Sequence, residues 1–139
     1  MILVDTSGLL AALFPGQRRH ESCAAVLRQE PGPFLLSPFV LAEVDCLLIR
    51  YADVDARLAF FDEVSRGAYL LEEFDAEDVR DARELIHRHR EIDLGLTDAS
   101  INVLAVRHRT HDILTLDERR FGALPGPRGR GFRLLPRDA

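Results

Sequence analysis

Short apolar segments alternate with helix-like segments along the whole chain, and this alternation constrains the fold more than any other feature. Such a pattern is typical of a short, mostly parallel β-sheet flanked by helices, because parallel strands need a crossover connection between them. We therefore expect an α/β, three-layer fold with helices on both faces of the sheet. The whole chain, residues 1–139, has the length of a single domain.

Apolar runs predict five strands, and residues with helical spacing predict seven helices between them. The strands are expected at residues 1–5, 34–37, 68–74, 113–116 and 132–135. The helices are expected at residues 6–14, 18–30, 38–51, 53–65, 75–90, 97–107 and 117–121, with Ser37 as an N-cap and Pro38 in the first turn. Residues 125–131 combine glycine, proline and arginine, which predicts a flexible basic loop.

Two of these helices, at 38–51 and 97–107, are apolar almost all round, which predicts that both are deeply buried. Cys23 and Cys46 lie in apolar helical stretches, so we expect two buried, reduced thiols in a cytoplasmic protein. The longest uncharged stretches are shorter than the roughly 20 residues that a membrane span requires. No basic segment of a secretory signal precedes the first acidic residue.

Four acidic residues are placed where ligands bind in parallel sheets. Asp5 ends the first predicted strand and Asp117 follows the fourth, while Glu43 and Asp98 lie on the two apolar helices. Because ligands bind beyond the carboxyl ends of the strands, we expect these side chains to converge at that edge. A buried carboxylate has to be protonated, paired with a cation or bound to a metal ion.

Each acidic residue also has a simpler structural interpretation. Asp5 and Asp117 each precede a predicted helix and could cap it. Asp98 lies in a first helical turn, where the helix dipole favours negative charge. Glu43 lies in the middle of a helix, so a purely structural role for it requires an arginine partner.

The composition narrows the chemistry of such a cluster. Carboxylate oxygens without histidine or cysteine ligands favour Mg²⁺ or Mn²⁺ over zinc, and a site of this kind can activate water for phosphodiester cleavage. All 18 basic residues are arginines. The absence of lysine argues against receiver domains and aspartyl-phosphate phosphatases, which use a phosphoryl-stabilising lysine, and against a P-loop.

Four segments, in this order and spacing, resemble the PIN-domain ribonucleases and in particular the VapC toxins of VapBC toxin–antitoxin pairs. The segments are Met-Ile-Leu-Val-Asp5-Thr6-Ser7, Ser-Pro-Phe-Val-Leu-Ala-Glu43, Leu-Thr-Asp98-Ala-Ser and Ile-Leu-Thr115-Leu-Asp117-Glu-Arg-Arg-Phe121. The resemblance implies a PIN fold and a Mg²⁺- or Mn²⁺-dependent endoribonuclease toxin that hydrolyses structured RNA (tRNA or rRNA) by metal-activated water. It also implies a VapB-type antitoxin partner, a homodimer and higher toxin–antitoxin assembly.

The resemblance also implies roles for individual residues. The acidic catalytic quartet matches Asp5, Glu43, Asp98 and Asp117. Asp5 and Asp98 match the positions that most often hold metal, while Glu43 and Asp117 would bind it directly or through water. The supporting hydroxyl residues match Thr6, Ser7 and Thr115. The competing hypothesis is a non-catalytic PIN-like module that binds RNA or protein.

The basic residues are concentrated at the carboxyl terminus. Residues 1–117 carry 12 arginines and 21 acidic residues, whereas residues 118–139 carry 6 arginines and 2 acidic residues. The arginines predicted to contact RNA or the antitoxin are Arg119, Arg120, Arg128 and Arg130. A solvated surface is the alternative for each of them. A predicted amphipathic helix at 53–65 could bury one face in a dimer.

Overall fold

The computed structural model describes all 139 residues and contains five strands, seven α-helices and one short 3-10 helix. The strands are β1 (Ile2–Val4), β2 (Phe34–Leu36), β3 (Leu70–Leu71), β4 (Asp112–Leu114) and β5 (Arg133–Leu135). The helices are α1 (Thr6–Leu13), α2 (His20–Gln29), α3 (Pro38–Tyr51), α4 (Val54–Ser65), α5 (Ala76–Arg88), α6 (Leu96–His108) and α7 (Glu118–Ala123). The 3-10 helix spans Pro127–Gly129.

All five strands are parallel, in the order β3-β2-β1-β4-β5, which confirms the α/β prediction. The first strand, β1, lies at the centre, and its three residues are almost completely buried. This burial on both faces explains why β1 is an unbroken apolar run rather than an alternating one. Because the strands are parallel, all their carboxyl ends lie at one edge, which we call the carboxyl edge of the sheet.

Helices α3 and α6 both begin at the carboxyl edge of the sheet. Ser37 caps α3 by accepting a hydrogen bond from the Phe39 backbone N–H at 3.2 Å, and Pro38 occupies the first turn. Helix α6 begins at the carboxyl edge and is buried at seven of its 13 positions. Gly95 is its N-cap, so α6 begins one residue earlier than predicted.

The prediction of deep burial is wrong for α3. Only Val40, Val44 and Leu48 are buried, while Ile49 and Tyr51 are 61% and 71% exposed. The reason is geometric, because the neighbours of α3, namely α1, α4 and α6, leave part of its apolar surface uncovered. Cys46 lies on α3 and is exposed, contrary to the sequence-based expectation, whereas Cys23 is buried as expected.

Two further segments differ from their predictions. The third strand has only two residues, both exposed, because β3 is an edge strand with a neighbour on one side. The stretch 125–131 is not an open loop. The Gly126 N–H donates to the Arg130 carbonyl at 2.7 Å, and Pro127 is buried. None of the helices has the length and apolar character of a membrane span.

Helix α1 packs closely against the backbone of β4 at Gly8. A methyl group added at Gly8 would lie 2.5 Å from the Leu114 carbonyl oxygen, a distance that no Cβ can adopt. The Asp5 N–H donates to that same carbonyl at 2.9 Å. Gly8 is therefore required by the contact between α1 and β4.

We expect Gly8→Ala to lower the free energy of unfolding by about 1–3 kcal/mol, because the added carbon forces α1 away from β4. The matched control is Gly122→Ala in α7, where nothing lies within 4 Å of the added carbon. That change should stabilise by about 0.5–1 kcal/mol, since alanine favours helix. Urea denaturation of both variants tests whether Gly8→Ala destabilises the protein and Gly122→Ala stabilises it. An unchanged urea midpoint for Gly8→Ala would refute the close contact between α1 and β4.

Candidate active site

The structure brings the four predicted acidic residues to one place. Asp5 directly follows β1, and Asp117 caps α7 just after β4, the strand beside β1. Glu43 comes from α3 and Asp98 from the first turn of α6. All four side chains line a single open cavity of about 420 Å³ at the carboxyl edge, which we call the acidic cavity.

Asp5 is the most buried of the four, with 5% of its surface exposed. Its Oδ2 accepts hydrogen bonds from Thr115 Oγ1 at 2.7 Å and from Ser7 Oγ at 3.0 Å. No arginine pairs with it, and its side chain accepts no helix-capping hydrogen bond. The structure thus gives no support to a simple capping role for Asp5.

Burial dominates the electrostatics of Asp5. It raises the pKa of this carboxyl from 3.8 to about 6, and the negative charge of Asp98 adds to the rise. The Thr115 and Ser7 hydroxyls act in the opposite direction, because hydrogen bonds to the ionised form favour it. Two hydroxyl donors therefore offset only part of the cost of keeping a charge at this position.

Glu43 is held by threonines rather than by an arginine. Its Oε1 accepts from Thr6 Oγ1 at 2.8 Å, and its Oε2 accepts from Thr97 Oγ1 at 2.6 Å. Glu43 is an exposed residue, so the sequence argument from its burial does not apply. The hydroxyl contacts orient its carboxylate toward α1 and α6. Thr97 was not predicted as a supporting residue, although its place beside Asp98 would have suggested it.

Asp98 and Asp117 share one cation, Arg120. Its Nη1 lies 3.3 Å from Asp98 Oδ2 and 3.5 Å from Asp117 Oδ2. Both acidic residues also accept hydrogen bonds from backbone N–H groups at the beginning of a helix. Asp98 accepts from the Gly95 N–H at the start of α6, and Asp117 accepts from the Arg120 N–H at the start of α7. Capping is therefore part of their role. Burial nevertheless raises the pKa of Asp98, and the charges of Asp117 and Glu43 raise it further.

Thr115 and Ser7 tie the centre of the site together. The Asp117 N–H donates to Thr115 Oγ1 at 2.9 Å, and the Leu116 N–H donates to Ser7 Oγ at 3.0 Å. The same two hydroxyls donate to Asp5. A change at either hydroxyl would consequently be transmitted to both Asp5 and the β4–α7 connection.

The donor set fits a hard divalent cation. It contains only carboxylate oxygens, and one of them, Asp5, is buried without a cation. Burial, and after it the charges of neighbouring carboxylates, raises the pKa of Asp5 and of Asp98. No three of them are spaced closely enough to form a finished metal-ligand cluster. Asp98 and Asp117 are instead bridged by the Arg120 guanidinium.

The predicted arginines divide between two places. Arg120 lines the acidic cavity, and the exposed Arg119 lines an open groove beside it. Arg128 and Arg130 precede β5 and lie at the opposite edge of the sheet, so the structure does not bring them to the acidic residues. Arg18, which sequence reasoning missed, lines the acidic cavity from the connection between α1 and α2.

A parallel sheet with four carboxylates gathered at its carboxyl edge is the arrangement of a PIN domain. Residues 2–126 match the PIN domain family. The chain is 34% identical to Ribonuclease VapC26 of Mycobacterium tuberculosis over 135 residues, which cover 97% of this chain and all of that protein.

Solved structures agree on the fold. The crystal structure of Mycobacterium tuberculosis VapC20, a toxin that cleaves the sarcin–ricin loop, superposes with a TM-score of 0.79 at 24% identity and covers 86% of this chain and 92% of that one. A toxin–antitoxin complex from Klebsiella pneumoniae gives a TM-score of 0.71 at 21% identity, covering 91% and 95%. The chain belongs to the PIN-domain family, in its group of VapC ribonuclease toxins.

We expect the stability of the metal-free protein to fall as the pH rises from about 4 to about 6. Folding raises the pKa of Asp5 from 3.8 to about 6, so in this window the unfolded chain loses its proton first and ionisation favours unfolding. Asp5→Asn removes this titration. The difference in free energy of unfolding between the variant and wild type should therefore be about 3 kcal/mol more favourable to the variant above about pH 7 than at about pH 4. Chemical denaturation in EDTA across this range measures the difference.

Asp78→Asn provides a control of opposite sign. A hydrogen bond from Arg107 holds the pKa of Asp78 below its ordinary value, so this residue contributes stability that is lost as the pH falls. Asp78→Asn should therefore be most destabilising near neutral pH. A difference in free energy of unfolding between Asp5→Asn and wild type that stayed constant across the pH range would contradict the conclusion that Asp5 is buried without a compensating cation.

Proposed function

We propose that this chain is a Mg²⁺- or Mn²⁺-dependent endoribonuclease that hydrolyses phosphodiester bonds in structured RNA (tRNA or rRNA) as the toxin of a toxin–antitoxin pair. The observation that carries the proposal is the acidic cavity, where carboxylates from four separate elements converge. Membership of the VapC ribonucleases supports the reaction class. The relative that cleaves the sarcin–ricin loop supports structured RNA as the substrate class.

Asp5 and Asp98 would hold the metal ion, and Glu43 and Asp117 would complete its surroundings directly or through water. A bound divalent ion supplies charge neutralisation at the phosphate and lowers the pKa of a water nucleophile. The chain's own contribution is orientation. Hydroxyl groups fix three carboxylate oxygens, those of Asp5 Oδ2, Glu43 Oε1 and Glu43 Oε2, before any ligand arrives.

Arginines at the edge of the cavity would position the RNA backbone. Arg18 and Arg119 are exposed and form no ion pair, so their guanidinium groups are free to contact RNA phosphates. Arg120 lines both the acidic cavity and the groove beside it. These contacts supply affinity and register, while the choice of sequence requires contacts to bases.

A VapB-type antitoxin and a second copy of the chain are the proposed protein partners. The solved toxin–antitoxin complex of the same fold supports the first. Exposed apolar side chains on α3 and α4 support a protein interface, because monomeric proteins rarely expose large contiguous patches of apolar side chains to water. They are Ile49, Tyr51, Val54 and Leu58. Contact of Arg128 and Arg130 with the antitoxin stays a prediction.

We expect Asp98→Asn to reduce RNA cleavage by at least about 100-fold, because the amide oxygen is neutral and binds a hard cation weakly. The fold should be retained or stabilised, since the change removes a carboxylate whose pKa burial raises. Cleavage of total RNA with Mn²⁺, with and without EDTA, measures the effect. The control is Asp81→Asn, a change at an exposed acidic residue on α5 that lines neither the acidic cavity nor the groove beside it, and this variant should cut as fast as wild type.

The competing non-catalytic module gives a different result. It would bind RNA but release no new RNA ends at any metal concentration. Wild-type cleavage that survives EDTA would contradict metal dependence, and cleavage by Asp98→Asn at the wild-type rate would contradict the assignment of the site.

We expect Arg18→Gln and Arg119→Gln each to raise the KM for RNA several-fold with little change in kcat, because a phosphate contact is equally strong before and during the reaction. Each change should also reduce the dependence of RNA binding on salt by about one counterion. Arg80→Gln on α5 makes the same change of charge away from the cavity. An equal effect of all three variants would show that only net charge matters.

A further inference from the structure

Arg120 is the one cation that forms ion pairs inside the acidic cavity. A single nitrogen atom, Nη1, lies within 3.5 Å of oxygens on two different acidic residues, Asp98 and Asp117. Its side chain is 40% exposed, which leaves it room to move toward solvent. The guanidinium therefore places one positive charge between two of the carboxylates assigned to the metal site.

The surrounding charge explains why a cation is held there. Four carboxylates from four separate elements line the same cavity and place their negative charges close together. Asp98 is buried, with 8% of its surface exposed, and Arg120 is its one ion-pair partner. Without a positive charge at this point, Asp98 and Asp117 would face each other uncompensated.

We propose that Arg120 is a built-in counter-cation that competes with the divalent metal ion for Asp98 and Asp117 and thereby sets the metal affinity of the site. The inference rests on the proposed function. Metal binding displaces the guanidinium from the two carboxylates, and the displaced side chain remains at the cavity rim, where an RNA phosphate can replace its lost partners.

The geometry separates this role from the structural role of the same residue. The Arg120 backbone N–H donates to Asp117 Oδ1 at 3.1 Å and caps α7 whatever side chain is present. The contacts of Nη1 are to the other oxygen of Asp117 and to Asp98. A substitution of Arg120 thus removes the competing charge while the cap is retained.

Binding of Mn²⁺ to the full-length protein, followed by isothermal titration and by the electron paramagnetic resonance signal of free Mn²⁺, tests the inference. Arg120→Gln should bind Mn²⁺ about fivefold more tightly than wild type, as expected for the loss of a partly exposed ion pair. Arg120→Lys keeps the charge and should stay within about twofold of wild type. Arg119→Gln, an identical change at the adjacent exposed residue, should leave the Mn²⁺ affinity unchanged.

Thermal unfolding provides a second readout that does not depend on catalysis. In EDTA, Arg120→Gln should have a lower Tm than wild type, because the carboxylates lose their counter-cation. Addition of Mn²⁺ should raise its Tm by more than it raises that of wild type, since tighter binding to the folded state stabilises more.

The outcomes separate the inference from the proposed function. Equal or weaker Mn²⁺ binding by Arg120→Gln, with clear binding by wild type, overturns the competition and leaves the metal site standing. The same tightening in Arg119→Gln also overturns it, because general charge would then account for the effect. If neither wild type nor Arg120→Gln bound Mn²⁺, the metal-dependent function would fail and this inference with it.

Discussion

The site depends on one costly interaction: a carboxylate buried at the end of the central strand with hydroxyl groups but no cation around it. Asp5 is held by Ser7 and Thr115, and its burial raises its pKa to about 6. A buried charge of this kind is tolerated only when the surrounding structure is rigid and preorganised. A divalent cation bound there, as proposed, would offset the unfavourable burial of the Asp5 charge.

Packing supplies the rigidity around Asp5. The central strand β1 is buried on both faces, and Gly8 lets α1 approach the backbone of β4 closely. The pairing of Val4 with Leu114 places Thr115 beside Asp5. Glu43 and Asp98 then arrive on helices whose starts are satisfied by their own caps. Stability therefore conflicts with the proposed metal binding at this edge of the sheet, because the buried carboxylate that costs stability is one that would hold the ion.

Sequence reasoning reached the fold and the acidic residues because both follow from strong local signals. A short apolar run followed by an acidic residue predicts a buried parallel strand with a carboxylate near its carboxyl end, and the structure places Asp5 and Asp117 at that edge. Burial was harder to predict. The apolar surface of α3 was expected to be buried, yet Ile49, Tyr51 and Cys46 are exposed, because composition does not reveal which helices cover one another.

Contacts between distant side chains could not be predicted from local pattern. Thr97 and Arg18 are ordinary polar residues in the sequence, and only the packing of α6 and the path between α1 and α2 bring them to the cavity. The bridging position of Arg120 is similar, since its distance to Asp98 depends on how α7 meets α6. For Arg128 and Arg130 the local pattern was misleading. Their charge suggested a position near the acidic residues, but they precede β5 and therefore lie at the other end of the parallel strands.

The pairing of β1 with β4 has a consequence for the synthesis of the chain. Register partners such as Val4 and Leu114 are far apart in sequence, so the first strand made by the ribosome waits for one of the last before the sheet centre closes. Asp117 is made later still. A nascent chain that ends before Asp117 cannot assemble the complete acidic cavity. The translating ribosome is therefore not exposed to a finished nuclease until nearly the whole polypeptide has emerged.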